Sequence, residues 1–281
     1  MMSAPPPRAM SRRELLHLGW TDRGLARAVA VTELLRPRGN CYLPLGTHAD
    51  LLAAAALGAR LACVSELRRH GVFVLESETL HVHLHQNRGR GKSVTRRLRR
   101  HWGRLHREPH PAAVAVEFMD ALREAVRCQP PRAAVATLDS ALNLGLIDRD
   151  ALGELFASLP RRYGVLRRLL DSRAESGPES LMRLILRSLG AAIEVQVKIV
   201  GVGRVDFVVD GWLIVECDSR AHHADWDAQR RDRRRDQEAA ALGYATYRPI
   251  AEDIMWQPDV VRRALTGLLG IPRGRRPRGG R

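Results

Sequence analysis

The spacing of apolar residues predicts helices over most of the front of the chain and a block of strands behind residue 193. Ser11-Arg12-Arg13-Glu14 has the form of a capping box, so a first helix runs to about Leu18 and stops at Gly19. Thr21 or Asp22 caps a second helix through about Val31. Leu34 to Leu45 has strand character broken by Pro37, Gly39 and Pro44, and two short helices before a small hairpin suggest a winged helix. Alanine-rich helices follow at about Ala49–Ala59 and Ser65–His70, the latter closed by Gly71. Val116, Met119, Leu122 and Val126 keep helical spacing, and Pro130-Pro131 separates two helices.

Behind a helix opened by Gly177-Pro178, the β-branched runs Ile193–Val200, Arg204–Val209 and Leu213–Cys217 predict three strands. A polar helix from about Asp225 to Leu242, a strand at Tyr244–Arg248 and a helix from about Pro258 to Leu269 complete an αβββαβα order. A strand, a helix and another strand in succession imply a crossover and a parallel pairing, hence an α/β fold with a mixed sheet.

Composition narrows the function. The chain has 281 residues, enough for about two domains, and its 46 basic against 31 acidic side chains leave a formal charge of +15. Only Lys92 and Lys198 are lysines; the rest of the basic residues are arginines. Residues 175–281 carry 18 basic and 15 acidic side chains, net +3, so +12 lies in residues 1–174. Nine basic and no acidic residues fall between Arg88 and Arg107, where Arg96, Arg97, Arg99 and Arg100 are candidate phosphate contacts; a solvated charged surface is the other reading. DNA is therefore the expected partner, with a protein partner left open. No apolar run is long enough for a membrane span or a signal peptide, so a cytoplasmic protein is expected. A Pro-rich leader (1–10) and an Arg/Gly/Pro tail (271–281) are expected to be disordered.

Two metal chemistries come into question. Cys41, Cys63, Cys128 and Cys217 are far apart without a CxxC pair, which argues against structural zinc and for reduced, mostly buried thiols. His81, His83 and His85 share one face of a strand, and a solvated polar face takes precedence over a metal site because no fourth ligand is evident. By contrast, Asp206, Glu216 and Asp218 sit in apolar strands where an unpaired charge is costly, and three such oxygen donors suit Mg²⁺ or Mn²⁺. The reading sets a condition on the hairpin. A two-residue Asp210-Gly211 turn would put Glu216 on the face opposite Asp206, whereas a three-residue loop or an equivalent bulge brings the acids to one face.

Arg204-Val205-Asp206, Ile214-Val215-Glu216-Cys217-Asp218, His222-His223, Arg231-Asp232-Arg233-Arg234-Arg235-Asp236 and Ala241-Leu242-Gly243-Tyr244 follow one another in an order and spacing that carry a resemblance. Over residues 175–270 the chain resembles the endonuclease-related domain similar to Vsr nucleases, within the PD-(D/E)XK restriction-endonuclease-like superfamily. The region 11–90 loosely resembles the winged helix of AbiEi-type antitoxins, with a basic, helical connector at 91–174. The resemblance implies that Asp206 is the principal metal ligand and that Glu216 is the acid of the E-x-K element. Asp218 stands where many members have Lys, removing the ammonium that orients the attacking water. His222 matches the catalytic histidine and is suited to proton transfer near neutrality, and His223 is a weaker substitute. Glu179 matches the glutamate of the first core helix, although Ser176 and Glu179 are equally spaced as a capping box. Arg231 and Arg234, with Arg233 and Arg235, match phosphate-contacting positions, while Asp232 and Asp236 suggest intrahelical pairing on a solvated face. Trp226 is read as a packing anchor. The expected activity is metal-dependent DNA cleavage; the alternatives are a DNA-binding, antitoxin-like regulator with an inactive nuclease domain, and a protein-interaction scaffold.

Overall fold

The structure, a computed structural model, describes residues 7–84, 97–217 and 226–270. The chain forms two compact units, one of Met1–Ala134 with Leu144–Arg168, the other of Val135–Asn143 with Leu169–Arg281. Both are mixed α/β, with the described sheets of three or more strands containing parallel and antiparallel pairs.

The first unit opens with α1 (Arg12–His17) and α2 (Asp22–Ala30), followed by the antiparallel hairpin β1 (Leu34–Arg38) and β2 (Cys41–Pro44). Both halves of the expected capping box form: Ser11 Oγ accepts from the Glu14 amide at 3.2 Å, and Glu14 accepts from the Ser11 amide at 2.7 Å. Such a box supplies partners that the helix start lacks internally, for about 1 kcal/mol. Leu15, Leu25 and Tyr42 close a small core between the helices and the hairpin. Residues 7–10 of the expected leader are ordered against the unit. Ala9 is buried, its amide donates to the Ala112 carbonyl, and Met10 bridges to Tyr42, because ladder bonds and an apolar contact satisfy a backbone that the Pro-rich composition suggested was free. Residues 1–6 and the tail 271–281 lie outside the described residues.

Next come α3 (Ala49–Ala56), β3 (Arg60–Leu61), α4 (Cys63–Arg69), β4 (Leu80–His83) and β5 (Leu98–His101). The sheet order is β3-β4-β5, antiparallel then parallel. Leu80, Val82 and Leu84 turn one face of β4 into a core with Leu51, Ala54 and Leu61. His81 and His83, on the other face, are also buried. This corrects the solvated reading of the histidines: polar alternation marked a strand covered on both faces, since α5 (Phe118–Cys128) supplies Glu124 and Cys128 as their partners. His85 lies outside the described residues. The basic run likewise is not all connector, because residues 98–101 pair with β4 across the expected 90/91 boundary. The unit also contains α7 (Arg149–Ala157) and α8 (Gly164–Arg167).

The second unit takes α6 (Pro131–Asn143) from Val135 onward, then α9 (Gly177–Ser188) and the four-stranded sheet β6 (Ile193–Ile199), β7 (Gly203–Val209), β8 (Leu213–Val215) and β9 (Ala245–Tyr247) in that order. The long helix α10 (Trp226–Ala241) connects β8 to β9, and β9 pairs with β8 in parallel as the crossover predicted. A short α11 (Ala251–Trp256), absent from the sequence reading, precedes α12 (Pro258–Gly270). Ala239 of α10 packs on Val205, Val208 and Ile214. Asp139 of α6 accepts from Arg183 Nη2 (2.7 Å) and Ser180 Oγ (2.8 Å) of α9 and from the Asp171 amide (2.7 Å), so a buried charge is fully partnered. Among the described residues no helix is long and apolar enough to cross a membrane.

Candidate acidic site

The hairpin between β7 and β8 meets the condition set by the sequence. Its loop is Asp210-Gly211-Trp212, with Val209 opposite Leu213 and Phe207 opposite Val215. Continuing that register by one residue sets Asp206 opposite Glu216, which an even offset requires. The loop lies one residue later than the Val209-Asp210-Gly211 alternative but preserves the parity. Asp210 and Gly211 both have positive φ, 49° and 70°, and the Trp212 amide closes the turn on the Val209 carbonyl at 3.1 Å. A non-glycine residue in this conformation needs support. Asp210 has it, exchanging 2.8 Å hydrogen bonds with Ala192 through its amide and its carboxylate.

Each acid is held by identifiable partners. Asp206 Oδ2 accepts from the Cys217 amide at 2.8 Å. Glu216 is bound by two guanidiniums, Oε2 to Arg248 at 2.7 Å and Oε1 to Arg235 at 3.1 Å. Arg235 is itself fixed by the Val202 and Arg204 carbonyls at 2.8 and 3.0 Å. Glu179, buried on α9, forms half a capping box: its amide donates to Ser176 Oγ at 3.3 Å, but its carboxylate turns to the Glu175 amide and Gln196 Nε2, both at 2.9 Å. Gln196 lies opposite Asp206, bracketed by Val195 opposite Phe207 and Val197 opposite Val205, and has φ of 54°. Its Oε1 is buried without a hydrogen-bond partner.

Electrostatics ties these groups together. Burial raises the Asp206 carboxyl above its ordinary value, the Cys217 amide opposes the rise, and Glu179 and Glu175 add to it. Burial also raises Glu216, against Arg248 and Arg235, with Asp206 and Asp236 reinforcing the shift. The Cys217 thiol is pushed well up by burial and then by Asp206, Glu179 and Glu216. Buried carboxylates that raise one another's proton affinity favour a cation of another kind. The donor set, carboxylates of Asp206 and Glu179 with the orphaned Gln196 oxygen, fits a hard divalent ion in chemistry, and the Glu179 charge acts on Asp206. Glu216 would join it only by leaving its arginines. Among the described residues the three carboxylates do not form a group with ligand atoms within 4.8 Å of one another. Asp218, His222 and His223 lie outside the described residues.

The expected phosphate contacts are distributed over both units. Arg97 and Arg99 are exposed and Arg100 half-buried at β5, while Arg96 lies outside the described residues. Arg231 and Arg234 are exposed on α10. Asp236 pairs at 2.9 Å with Arg248 beyond β9, so this acid ties two elements together instead of decorating a solvated face. Trp226 is 60% exposed with the Arg233 guanidinium 5.7 Å over its ring; it is not buried as an anchor, because the start of α10 offers it a cation in place of a core.

Sequence spacing missed one group. Cys63, His81, His101 and Cys128 of the first unit bring four ligand atoms within 4.8 Å of one another. Cysteine spacing gives no sign of this group, because its members come from four separate elements and no short motif announces them. Of the four free thiols only Cys63 is fully buried. Cys128 is held well below the ordinary thiol range, first by Cys63 and then, against burial, by His101 and His81. Compared with known proteins, the chain matches no family model and no curated protein.

Proposed function

We propose that the chain is a Mg²⁺- or Mn²⁺-dependent DNA endonuclease. In this reading residues 175–270 adopt the restriction-endonuclease-like arrangement that the Vsr-like resemblance implies, and the basic front, with its candidate winged helix, holds the DNA. The reading is carried by the hairpin register, which extended by one residue sets Asp206 opposite Glu216, two part-buried carboxylates with raised proton affinity, with Glu179 buried on α9.

Asp206, Glu179 and Glu216 are the residues to hold the ion, with Asp218 added from the sequence. When bound, the ion would activate water and stabilise charge on the phosphate. The remaining work belongs to the chain. The Cys217 amide keeps the Asp206 carboxylate oriented, and Gln196 does the same for Glu179. Arg235 and Arg248 balance Glu216, and once released they are free to hold a phosphate oxygen in charge-assisted hydrogen bonds. His222 takes the proton of the attacking water.

A second reading rests on the same contact. Both oxygens of Glu216 are occupied by arginines, which suits a DNA-binding regulator whose nuclease-like domain no longer cuts. Incubating the protein and its Asp206→Ala/Glu216→Ala variant with supercoiled, linear, mismatched and single-stranded DNA in Mg²⁺, Mn²⁺ or EDTA decides between them. Metal-dependent cutting that vanishes in the variant supports the nuclease. DNA retained but never cut supports the regulator.

A further inference from the structure

The Cys63, His81, His101 and Cys128 side chains meet in the first unit with the chemistry of a metal centre. Cys63 opens α4 one residue beyond the end of β3, His81 faces inward from β4, His101 ends β5, and Cys128 is the last residue of α5. Cys63 and His81 are buried and the other two half-buried. His81 Nδ1 lies 3.1 Å from His101 Nε2 and 3.8 Å from Cys128 Sγ. A tetrahedral ion with metal–nitrogen bonds of ~2.0 Å and metal–sulfur bonds of ~2.3 Å separates two nitrogens by roughly 3.3 Å and a nitrogen from a sulfur by roughly 3.5 Å. These two spacings differ from those values by about 0.2 and 0.3 Å, and all four ligand atoms lie within 4.8 Å of one another.

Two independent features point the same way. Cys63, a member of the cluster, has a positive φ of 51°, a conformation that costs a non-glycine residue energy. Glu124, one turn before Cys128 on α5, is buried with Oε1 on His83 Nδ1 at 2.6 Å, while Oε2 has no hydrogen-bond partner and its charge acts on Cys63. A buried carboxylate oxygen left without a hydrogen-bond partner next to two thiols is a setting that a bound cation relieves.

We infer that Cys63, His81, His101 and Cys128 bind one Zn²⁺ as a closed, four-ligand structural centre. Thiolate and imidazole donors select zinc over the hard ions expected at the acidic site, and a fourth protein ligand leaves no open position for substrate. Binding is not a redox step: two thiol protons leave as two sulfur–zinc bonds form, and the ion with its two thiolates is neutral. The centre ties β5 to the sheet at the end of the strand that carries Arg99 and Arg100, so it fixes part of the basic surface. The inference does not depend on whether the acidic site cuts DNA.

The test is metal analysis of the full chain purified under reducing conditions without chelator, followed by exchange with Co²⁺. One zinc per chain is expected, and the cobalt form should show the intense visible bands of a tetrahedral site together with thiolate charge-transfer absorption. Cys63→Ser/Cys128→Ser should lose the metal and the bands, whereas Cys41→Ser/Cys217→Ser should retain both. The cobalt spectrum of the unaltered chain is decisive even where the first variant fails to fold. A metal-free chain that takes up no Co²⁺ with its thiols reduced, undiminished zinc in Cys63→Ser/Cys128→Ser, or a Cys63–Cys128 disulfide mapped in its place would each overturn the assignment.

Discussion

The two polar clusters of this protein are built by opposite routes. In the second unit Asp206 and Glu216 come together through one hairpin, and the length of its loop decides whether they share a row. In the first unit Cys63, His81, His101 and Cys128 arrive from four elements, and only the finished packing joins them. The first kind of cluster consists of hard oxygen donors, partly satisfied by arginines. The second consists of soft donors aimed at one another. Local chain geometry is enough to specify the former, whereas the latter exists only when β4, β5, α4 and α5 are all in place.

The largest expected effect separates the clusters by activity. Asp206→Ala should lower metal-dependent DNA cleavage on the order of a thousandfold, the several kcal/mol of charge stabilisation that a catalytic ion supplies, while zinc content stays unchanged. Cleavage near that of the parent would remove Asp206 from the site. Close behind is a test of what a purely structural acid costs. Asp139→Ala leaves the Arg183 guanidinium buried and unpaired, and chemical denaturation should show a loss of about 3–5 kcal/mol. A loss under 1 kcal/mol would mean that the α6–α9 tie matters little.

Replacing Arg96, Arg97, Arg99 and Arg100 by Gln should make the log–log salt slope of DNA binding shallower by about three to four. An unchanged slope moves the DNA surface off β5. The smallest effect concerns pH. Asp206 and Glu216 have folded pKa values above their ordinary 3.8 and 4.5, so the folded state keeps protons that the unfolded state has already lost. Their contribution to stability is therefore greatest at low pH and falls as pH rises from the ordinary values through the raised ones. Denaturation midpoints measured across that window should decline less in Asp206→Asn/Glu216→Gln, and Mg²⁺ should offset the decline in the unaltered chain only. Parallel pH profiles would contradict the shifts.

Legibility followed the same division. The β-branched runs announced β6, β7 and β8, and the strand–helix–strand order correctly required β8 and β9 to be parallel. Hairpin parity follows from loop length because side chains alternate strictly along a strand. β5 was hidden because Leu98-Arg99-Arg100-His101 has little strand propensity of its own and is extended by pairing with β4. Alternation marks His81 and His83 as a polar face without saying what covers it. The partners of His81 and His83 sit on α5, Glu124 and Cys128 one helical turn apart, and that match between strand and helix repeats appears only after the two elements pack. Trp226 shows the reverse error: a large aromatic ring at a helix start stands exposed beside Arg233.

β4 has one further consequence. All four of its residues are buried, the leucine and valine on one side and the two histidines on the other. Most strands keep a tolerant face on which sequence can drift, but this one has none. In a library of random variants, β4 should be a short stretch of near-total intolerance in which apolar and polar positions are depleted alike, each for a different reason.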